Sequence, residues 1–575
     1  MTSEVPRSTE QVEESREESR RGLIHGRVMM IGAVLCTGFL TFLAFPTAWA
    51  PELNLFYLIW VSHIPLLLLI EGQSPRRAAW LSFLAGLVIN GGGYYWIGEL
   101  ILTFGQQPLW VAGIGLLLHS AWLACLWGAW GALYTLLRCR LSVAAAAPLA
   151  MVVTEHFWPR LFTAYMGNSQ FPFPPIMQIV DLFGVPAVTY LIYRFNGELA
   201  QWIMAWRPAL SAGTPAPRAH LRRSALLTGA LITLSLVYGV LRIAQVDAEI
   251  AEKKRAGEAI KVGVVEGDVG IFSSESRARR RDHLLIQQRL SAELEREGAE
   301  LIIWSESAYR YGRLVADQAR LPPSTLPLVE SARDDDRARR QRRDRSAPQR
   351  GFKVPLLFGS TAHDLGARQS HRVAYNRAWL IDGEGNVQGS YDKIHLLAFG
   401  EYIPFGDSFP TLYKMIPSAS RLTPGDGLHM LTLPREGRTS VKIGPLICYE
   451  GIIPDFARGL APLETHFLVN LTNDDWFGKT AERYLHFALA LPRAIEHRKS
   501  FVRSTLTGVS AFIDPVGRIT TWTKPTGEET MISEIPLMTG STIFLRVGWL
   551  FPRAALLWIL GLFFWERRRN HEEKK

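Results

Sequence analysis

The chain has 575 residues, a formal net charge of +10 and a pI of about 9.4, and its mean hydropathy of +0.07 averages one strongly apolar region with one of ordinary globular composition. Its basic residues sit at the ends of apolar segments and in one inserted run, a placement that fits membrane topology and speaks against nucleic-acid binding as the reason for the charge. Four cysteines with no Cys-x-x-Cys pair give no support to a disulfide framework or a zinc cluster.

Residues 1–22 are charged, carry no apolar periodicity and are expected to be disordered. Residues 23–246 read as a membrane domain of about seven helices. Apolar stretches near the ~20 residues needed to span a bilayer fall at 28–48, 53–71, 79–103, 109–136, 142–158, 176–195 and 224–244, and an eighth at 545–566 precedes a short tail, 567–575. Ala48-Trp49-Ala50 resembles a peptidase site, but the apolar run before it is too long for a signal peptide, so the segment reads as a retained anchor. Arg20, Arg21 and Arg27, then Arg76 and Arg77, Arg138 and Arg140, Arg207 to Arg223, and Arg567 to Arg569 all fall on alternate loops. Those loops share the cytoplasmic face, both termini lie inside, and the globular region lies on the opposite side.

Residues 259–540 read as an α/β domain. Short β-rich runs at Ile260 to Val265, Leu301 to Trp304, Val354 to Gly359, Val441 to Cys448 and Phe467 to Leu471 alternate with helical patterns at 275–297 and 480–497. Residues 331–350 hold eight Arg and four Asp with almost no apolar residue, the composition of a flexible surface insertion.

Three segments place a reactive side chain at or just beyond an apolar strand, where loops of an α/β sheet converge on a ligand: Leu301 to Trp304 leads to Glu306, Asn376 to Asp382 and its turn lead to Lys393, and Gly444 to Ile447 leads to Cys448. Singly each is an ordinary feature, a solvated glutamate or a small core cysteine. Together with their flanks they resemble the nitrilase superfamily, and more narrowly the membrane-bound apolipoprotein N-acyltransferase family. The resemblance runs from about residue 30 to 566 and includes Gly91 to Ile97, Asn168-Ser169-Gln170, Gln178 to Asp181 and Gly184-Val185 in the apolar region. In the globular region it includes Lys393 to Leu396, Phe399 to Pro404, Cys448-Tyr449-Glu450, Asn473 to Gly478, Arg503-Ser504-Thr505 and Gly508.

What the resemblance implies is an αββα sandwich beside a polytopic α-helical membrane domain, in the bacterial inner membrane, with the catalytic domain periplasmic. Cys448 would be the nucleophile, Glu306 the general base and Lys393 the cation facing the developing oxyanion. Glu401 would orient Lys393 or the incoming amine, with Tyr449, Glu450 and Trp476 in support. A free thiol has a pKa near ~8.5 and is mostly protonated at neutral pH, so an adjacent base is needed. The implied reaction is ping-pong. Cys448 takes an acyl group from a membrane phospholipid and passes it to the α-amine of a diacylglyceryl-modified N-terminal cysteine on an apolipoprotein. No metal or dissociable cofactor is required, and nothing demands a partner subunit, so a monomer is expected.

The chain departs from the family at Ser305, where Pro is usual, and at Glu266 to Phe272, where Gln and Trp are often found. Asn470-Leu471-Thr472 matches a glycosylation sequon but lies in an apolar strand. Two other readings stay open: a membrane-tethered amidase of the nitrilase type, and an inactive scaffold. A last expectation concerns residues 405–416, unusually apolar for a loop. Phe409, Leu412, Met415 and Ile416 are read there as a gate touching the bilayer.

Overall fold

The computed structural model describes residues 9–46, 55–212, 218–267, 277–310, 314–315, 317, 319, 321, 347–364, 373–416, 419–524 and 527–572. Among these, four helices are long and apolar enough, by length and composition, to cross a membrane: Gly26–Leu43, Leu109–Arg138, Ala219–Arg255 and Gly548–Trp565. Phe56–Ile70 and Val143–Phe157 are apolar but shorter.

Several expected spans are interrupted, each for a local reason. The 53–71 stretch is a 3-10 turn, Phe56–Trp60, followed by a helix, Ile64–Ile70, with Pro65 in its first turn. The 79–103 stretch stops at Gly93, after a run of three glycines that weakens the helix, and resumes as Trp96–Glu99 and a π-helical turn, Leu100–Phe104. The 176–195 stretch breaks at Gly184, whose φ of +73° suits glycine alone, and a Cβ there would come within 2.7 Å of Phe544. The long helix Val185–Ala212 follows.

The first helix begins at Thr9, so residues 9–22 are helical rather than disordered. Glu and Arg, which dominate this stretch, are good helix formers. Most of the 331–350 run lies outside the described residues. Its last four residues, 347–350, are buried rather than flexible, and the Ala347 carbonyl accepts a hydrogen bond from Gln288 Nε2 at 2.8 Å.

The globular domain is two stacked sheets. Its strands are β1 (Ala259–Glu266), β2 (Leu301–Trp304), β3 (Leu314–Val315), β4 (Leu356–Asp364), β5 (Val373–Ile381), β6 (Val387–Asp392), β7 (Leu431–Leu433), β8 (Val441–Ile447), β9 (Phe467–Thr472), β10 (Phe501–Thr505), β11 (Ala511–Ile513), β12 (Ile519–Trp522) and β13 (Glu529–Pro536). One sheet runs β13-β1-β2-β4-β5-β6 with β3 on β4, the other β12-β11-β10-β9-β8-β7. Each is built on a parallel triplet, β1-β2-β4 or β8-β9-β10, flanked by antiparallel strands. Parallel strands bury both faces, which is why β2 and β9 are apolar or buried at every position.

Val262, Ile303, Leu357, Ile443, Val469 and Val502 fill the space between the sheets. The helix Arg277–Arg296 covers the outer face of the first sheet through Leu290 and Leu294. The outer face of the second is covered by two helices, Glu482–Ala490 and Pro492–His497, where one helix over 480–497 was expected. Pro492 cannot continue the first and starts the second.

This last layer also packs on the membrane domain, and one apolar core runs from Trp130 and Met151 to Leu489 and Ile495. A buried ion pair locks the junction: Arg498 Nη2 lies 2.7 Å from Asp181 Oδ2, which also receives Arg242 Nε at 3.0 Å, while Tyr238 donates to Asp181 Oδ1 at 2.7 Å. Gln178 joins it, accepting from Arg498 Nη1 at 2.5 Å and donating to the Val516 carbonyl at 2.9 Å. The Gln178 to Asp181 motif thus seats the globular domain on the membrane helices.

Candidate active site

The C-terminal ends of β2, β8 and β9 point to one side, and the loops leaving them meet there. Glu306 follows β2, Lys393 follows β6 and Cys448 follows β8. All three are buried and line one cavity of ≈ 350 Å³ with Glu401, Asn376 and Trp476.

Lys393 is the hub. Its Nζ lies 2.7 Å from Glu401 Oε2 and 3.5 Å from Glu306 Oε1. Asn376 Nδ2 bridges the two carboxylates, donating to Glu306 Oε1 at 2.6 Å and to Glu401 Oε1 at 2.8 Å. The Leu397 N–H donates to Glu401 Oε2 at 2.8 Å. Glu306 can sit this close to β4 because Gly359 has no side chain: a Cβ there would come within 2.7 Å of the Glu306 Cα.

Cys448 leaves β8 with φ +52°, in the left-handed region, at the head of a short 3-10 turn, Cys448–Ile452. A non-glycine residue held there costs about 1–3 kcal/mol, so the surroundings must enforce it. Glu450 ties the elbow to the lysine loop. Its Oε2 accepts from the Ile447 N–H at 2.8 Å, and its Oε1 accepts from the Ile394 N–H at 2.7 Å and the Tyr391 hydroxyl at 2.8 Å. Burial raises the Glu450 carboxyl to about 7 despite these donors.

The electrostatics favour a resting thiol. Burial pushes the Cys448 thiol up, and the nearby Glu306 charge pushes the same way against Lys393. Burial also raises Glu306, with Lys393 opposing and Glu401 adding to the rise. For Lys393, burial favours the neutral amine, but Glu401 and Glu306 outweigh it and hold the ammonium. Such a site carries a protonated thiol beside a carboxylate able to take its proton, with a fixed cation alongside.

The membrane domain packs behind two residues of the cavity wall, Trp476 and Phe477. Phe104 packs on Trp476 with ring centroids 3.8 Å apart, and Trp96 meets Phe477 edge-on at 5.1 Å. The Tyr449 hydroxyl donates to the Leu161 carbonyl, and the Tyr95 hydroxyl accepts from the Ala481 N–H at 3.0 Å. The Gly91 to Ile97 motif therefore ends in residues that grip the globular domain.

The expected gate residues are placed unevenly. Phe409 is 62% exposed, Leu412 is half-buried in a short helix, Thr411–Met415, Ile416 is half-buried, and the Met415 side chain lies outside the described residues. Phe399, Tyr402 and Phe405, which the sequence reading names in a motif and a loop but not in the gate, bracket Glu401 and are exposed; Phe405 is 78% exposed and, like Phe399, has positive φ. Sequence reasoning passed over Asn376, whose only signal is a polar residue in mid-strand. Glu266 is buried at the end of β1, accepting from Ser510 Oγ at 2.6 Å, and residues 268–272 of the departing segment lie outside the described residues.

Two family profiles match the chain: one described as "Apolipoprotein N-acyltransferase N-terminal domain" over residues 37–197, the other as "Carbon-nitrogen hydrolase" over residues 278–543. The latter agrees with a nitrilase-like fold for the two-sheet domain. Curated relatives named apolipoprotein N-acyltransferase span most of the chain. That of Geobacter metallireducens is 29% identical over 508 residues, covering 87% of this chain and 89% of its own. That of Agrobacterium fabrum is 31% identical over 447 residues, covering 74% of each. That of Brucella melitensis is 27% identical over 555 residues, covering 92% of this chain and 95% of its own.

Proposed function

The chain belongs to the apolipoprotein N-acyltransferase family, acyltransferases of lipoprotein biosynthesis, and from that premise we propose that it acylates the N-terminal diacylglyceryl-cysteine of apolipoproteins through a thioester on Cys448, with membrane phospholipid as donor. The observation that supports this most is what backs the site: Glu306, Lys393, Cys448 and Trp476 line one cavity, Trp476 packs on Phe104 of the membrane domain, and Tyr449, next to the nucleophile, donates to the Leu161 carbonyl. A hydrolase of small soluble amides has no need of that arrangement.

In this reading Glu306 takes the thiol proton as Sγ attacks the ester carbonyl. Lys393 Nζ and the Tyr449 N–H stabilise the tetrahedral oxyanion. Collapse of the intermediate expels the lysophospholipid alkoxide, which regains the proton from Glu306. The lipoprotein amine then attacks the thioester, Glu306 accepts its proton, and the thiolate leaves and is reprotonated. Glu401 and Asn376 keep Lys393 and Glu306 in register. The test is intact mass after mixing with phospholipid: Cys448 should gain one acyl chain and lose it when a diacylglyceryl peptide is added. A label lost equally fast to water alone would favour the amidase reading.

The chain is further read as a multi-pass inner-membrane protein with its globular domain periplasmic and both termini cytoplasmic, on the strength of its basic loops. Glu436 is exposed on the β7–β8 turn. In a background with all four native cysteines replaced, Glu436→Cys should react with an impermeant maleimide added to the periplasmic side. Reaction from the cytoplasmic side alone would invert the topology.

The exposed aromatics beside Glu401 support a lipid gate, and with Phe409 they make Phe405 its better-placed member. Burying each in a bilayer would contribute roughly 1.5–3 kcal/mol. Phe405→Ser with Phe409→Ser should slow acylation from bilayer phospholipid about tenfold or more, on that contribution, while alkylation of Cys448 by iodoacetamide stays near the parent rate. Equal loss of both would make the loop a structural element.

A further inference from the structure

Asn473 to Gly478, Arg503 to Thr505 and Gly508 are far apart in the chain, yet the structure gathers their polar members beneath Cys448. Asn470, Asp474 and Arg503 are wholly buried there. Arg503 Nη2 lies 2.7 Å from Asp474 Oδ2, and His486 Nδ1 is 2.8 Å from Asp474 Oδ1. The space is full: at Gly508, where φ is +135°, a Cβ would come within 2.6 Å of Asp474 Oδ2.

The cluster reaches the nucleophile through one amide. Arg503 Nη1 donates to Asn470 Oδ1 at 2.8 Å. Arginine only donates, so the oxygen of Asn470 must face it, and the NH₂ must face the other way. That NH₂ donates to the carbonyls of Cys448, at 3.1 Å, and Leu446, at 3.4 Å. The Cys448 carbonyl and the Tyr449 N–H belong to one planar trans peptide and point in opposite directions. Whatever holds the carbonyl therefore aims the N–H.

We infer that Arg503 is a positioning residue for acyl transfer: acting through Asn470, it holds the peptide between Cys448 and Tyr449 so that the Tyr449 N–H faces the oxyanion. The inference rests on the thioester reading of the site. It assigns the buried Asn470–Arg503–Asp474 chain a task beyond packing, since it keeps a left-handed elbow from relaxing and an oxyanion donor from turning away.

The test compares full-length parent, Asn470→Asp and Arg503→Lys proteins in phospholipid nanodiscs. Asn470→Asp keeps size and can still pair with Arg503, but has no donor for the carbonyls. Arg503→Lys keeps a charge for Asp474 but lacks the fork that also holds Asn470. Each should lower the maximal rate of Cys448 acylation by about 10–10²-fold, less than the ~10²–10³ for deleting one oxyanion donor because the N–H is turned away rather than removed, with half-saturating phospholipid unchanged. Alkylation by iodoacetamide passes through no oxyanion and should stay near the parent rate. Acylation at the parent rate in both variants would overturn the inference, and so would acylation and alkylation falling together. A parent protein that never carries an acyl group on Cys448 would sink the thioester reading instead. The positioning would then be judged by amide hydrogen exchange over residues 446–453, which Asn470→Asp must accelerate and which, unchanged, would overturn it.

Discussion

Cys448→Ala is expected to remove acyl transfer, by more than about 10⁴-fold, in a protein that still inserts and purifies like its parent. The side chain lies at the mouth of β8 and lines one cavity with Glu306 and Lys393, so the substitution deletes the one atom that carries the acyl group and leaves the base and the cation in place. The structural loss is small. Ala retains the Cβ, Asn470 and Glu450 still hold the backbone around the elbow, and losing one buried sulfur costs about 1 kcal/mol in transfer terms. Cys36, Cys125 and Cys139 are exposed on the apolar helices and form no part of the cavity, so Ala at each should leave activity near the parent level. The check is paired: acyl label on the protein by mass, and turnover of phospholipid to lysophospholipid. Lipid turnover that survived in Cys448→Ala would place the chemistry elsewhere.

Glu306 and Cys448 each follow an apolar run, of four and seven residues, that announces its own end, whereas Lys393 follows the polar strand β6 and is singled out only by the resemblance. Asn376 could not be read from the sequence. It lies 70 residues from Glu306 and 25 from Glu401, and its value comes from β5 lying beside β4, a pairing no local pattern encodes. Arg503 stands in a motif, but its partner Asn470 is 33 residues away and by sequence is only a sequon inside an apolar strand. The membrane domain shows the same limit from the other side. Hydropathy finds Leu109–Arg138 within two residues, because a continuous helix needs only composition. It runs through the breaks at Gly93 and Gly184, where the backbone turns to let Tyr95 and Asp181 reach the globular domain. The segments that serve the site are the ones whose shape depends on contacts from far along the chain.

Lys393→Met should lower thioester formation by ~10³-fold or more, and Glu306→Gln by a similar factor, because one loses an oxyanion donor and the other the base. Glu401→Gln should cost less, about tenfold, since Lys393 keeps Glu306 as a partner. Rates alone would not separate these roles, but pH dependence does. Burial raises Glu306, Lys393 opposes that rise and Glu401 adds to it. Removing Lys393 therefore pushes Glu306 higher still, so at neutral pH less of it is the carboxylate that can accept the thiol proton. The rising limb of the rate profile should move to higher pH in Lys393→Met, and part of the lost rate should return there. Removing the Glu401 charge does the reverse. Glu306 falls, and the limb should move to lower pH in Glu401→Gln, whose slower maximal rate reflects a less well-held lysine. The measurement is single-turnover acylation of Cys448 across pH in the parent and both variants, with Glu306→Gln as the control that should show no such limb. Limbs displaced in the same direction in both variants, or displaced in neither, would mean that Glu306 is not the group taking the proton.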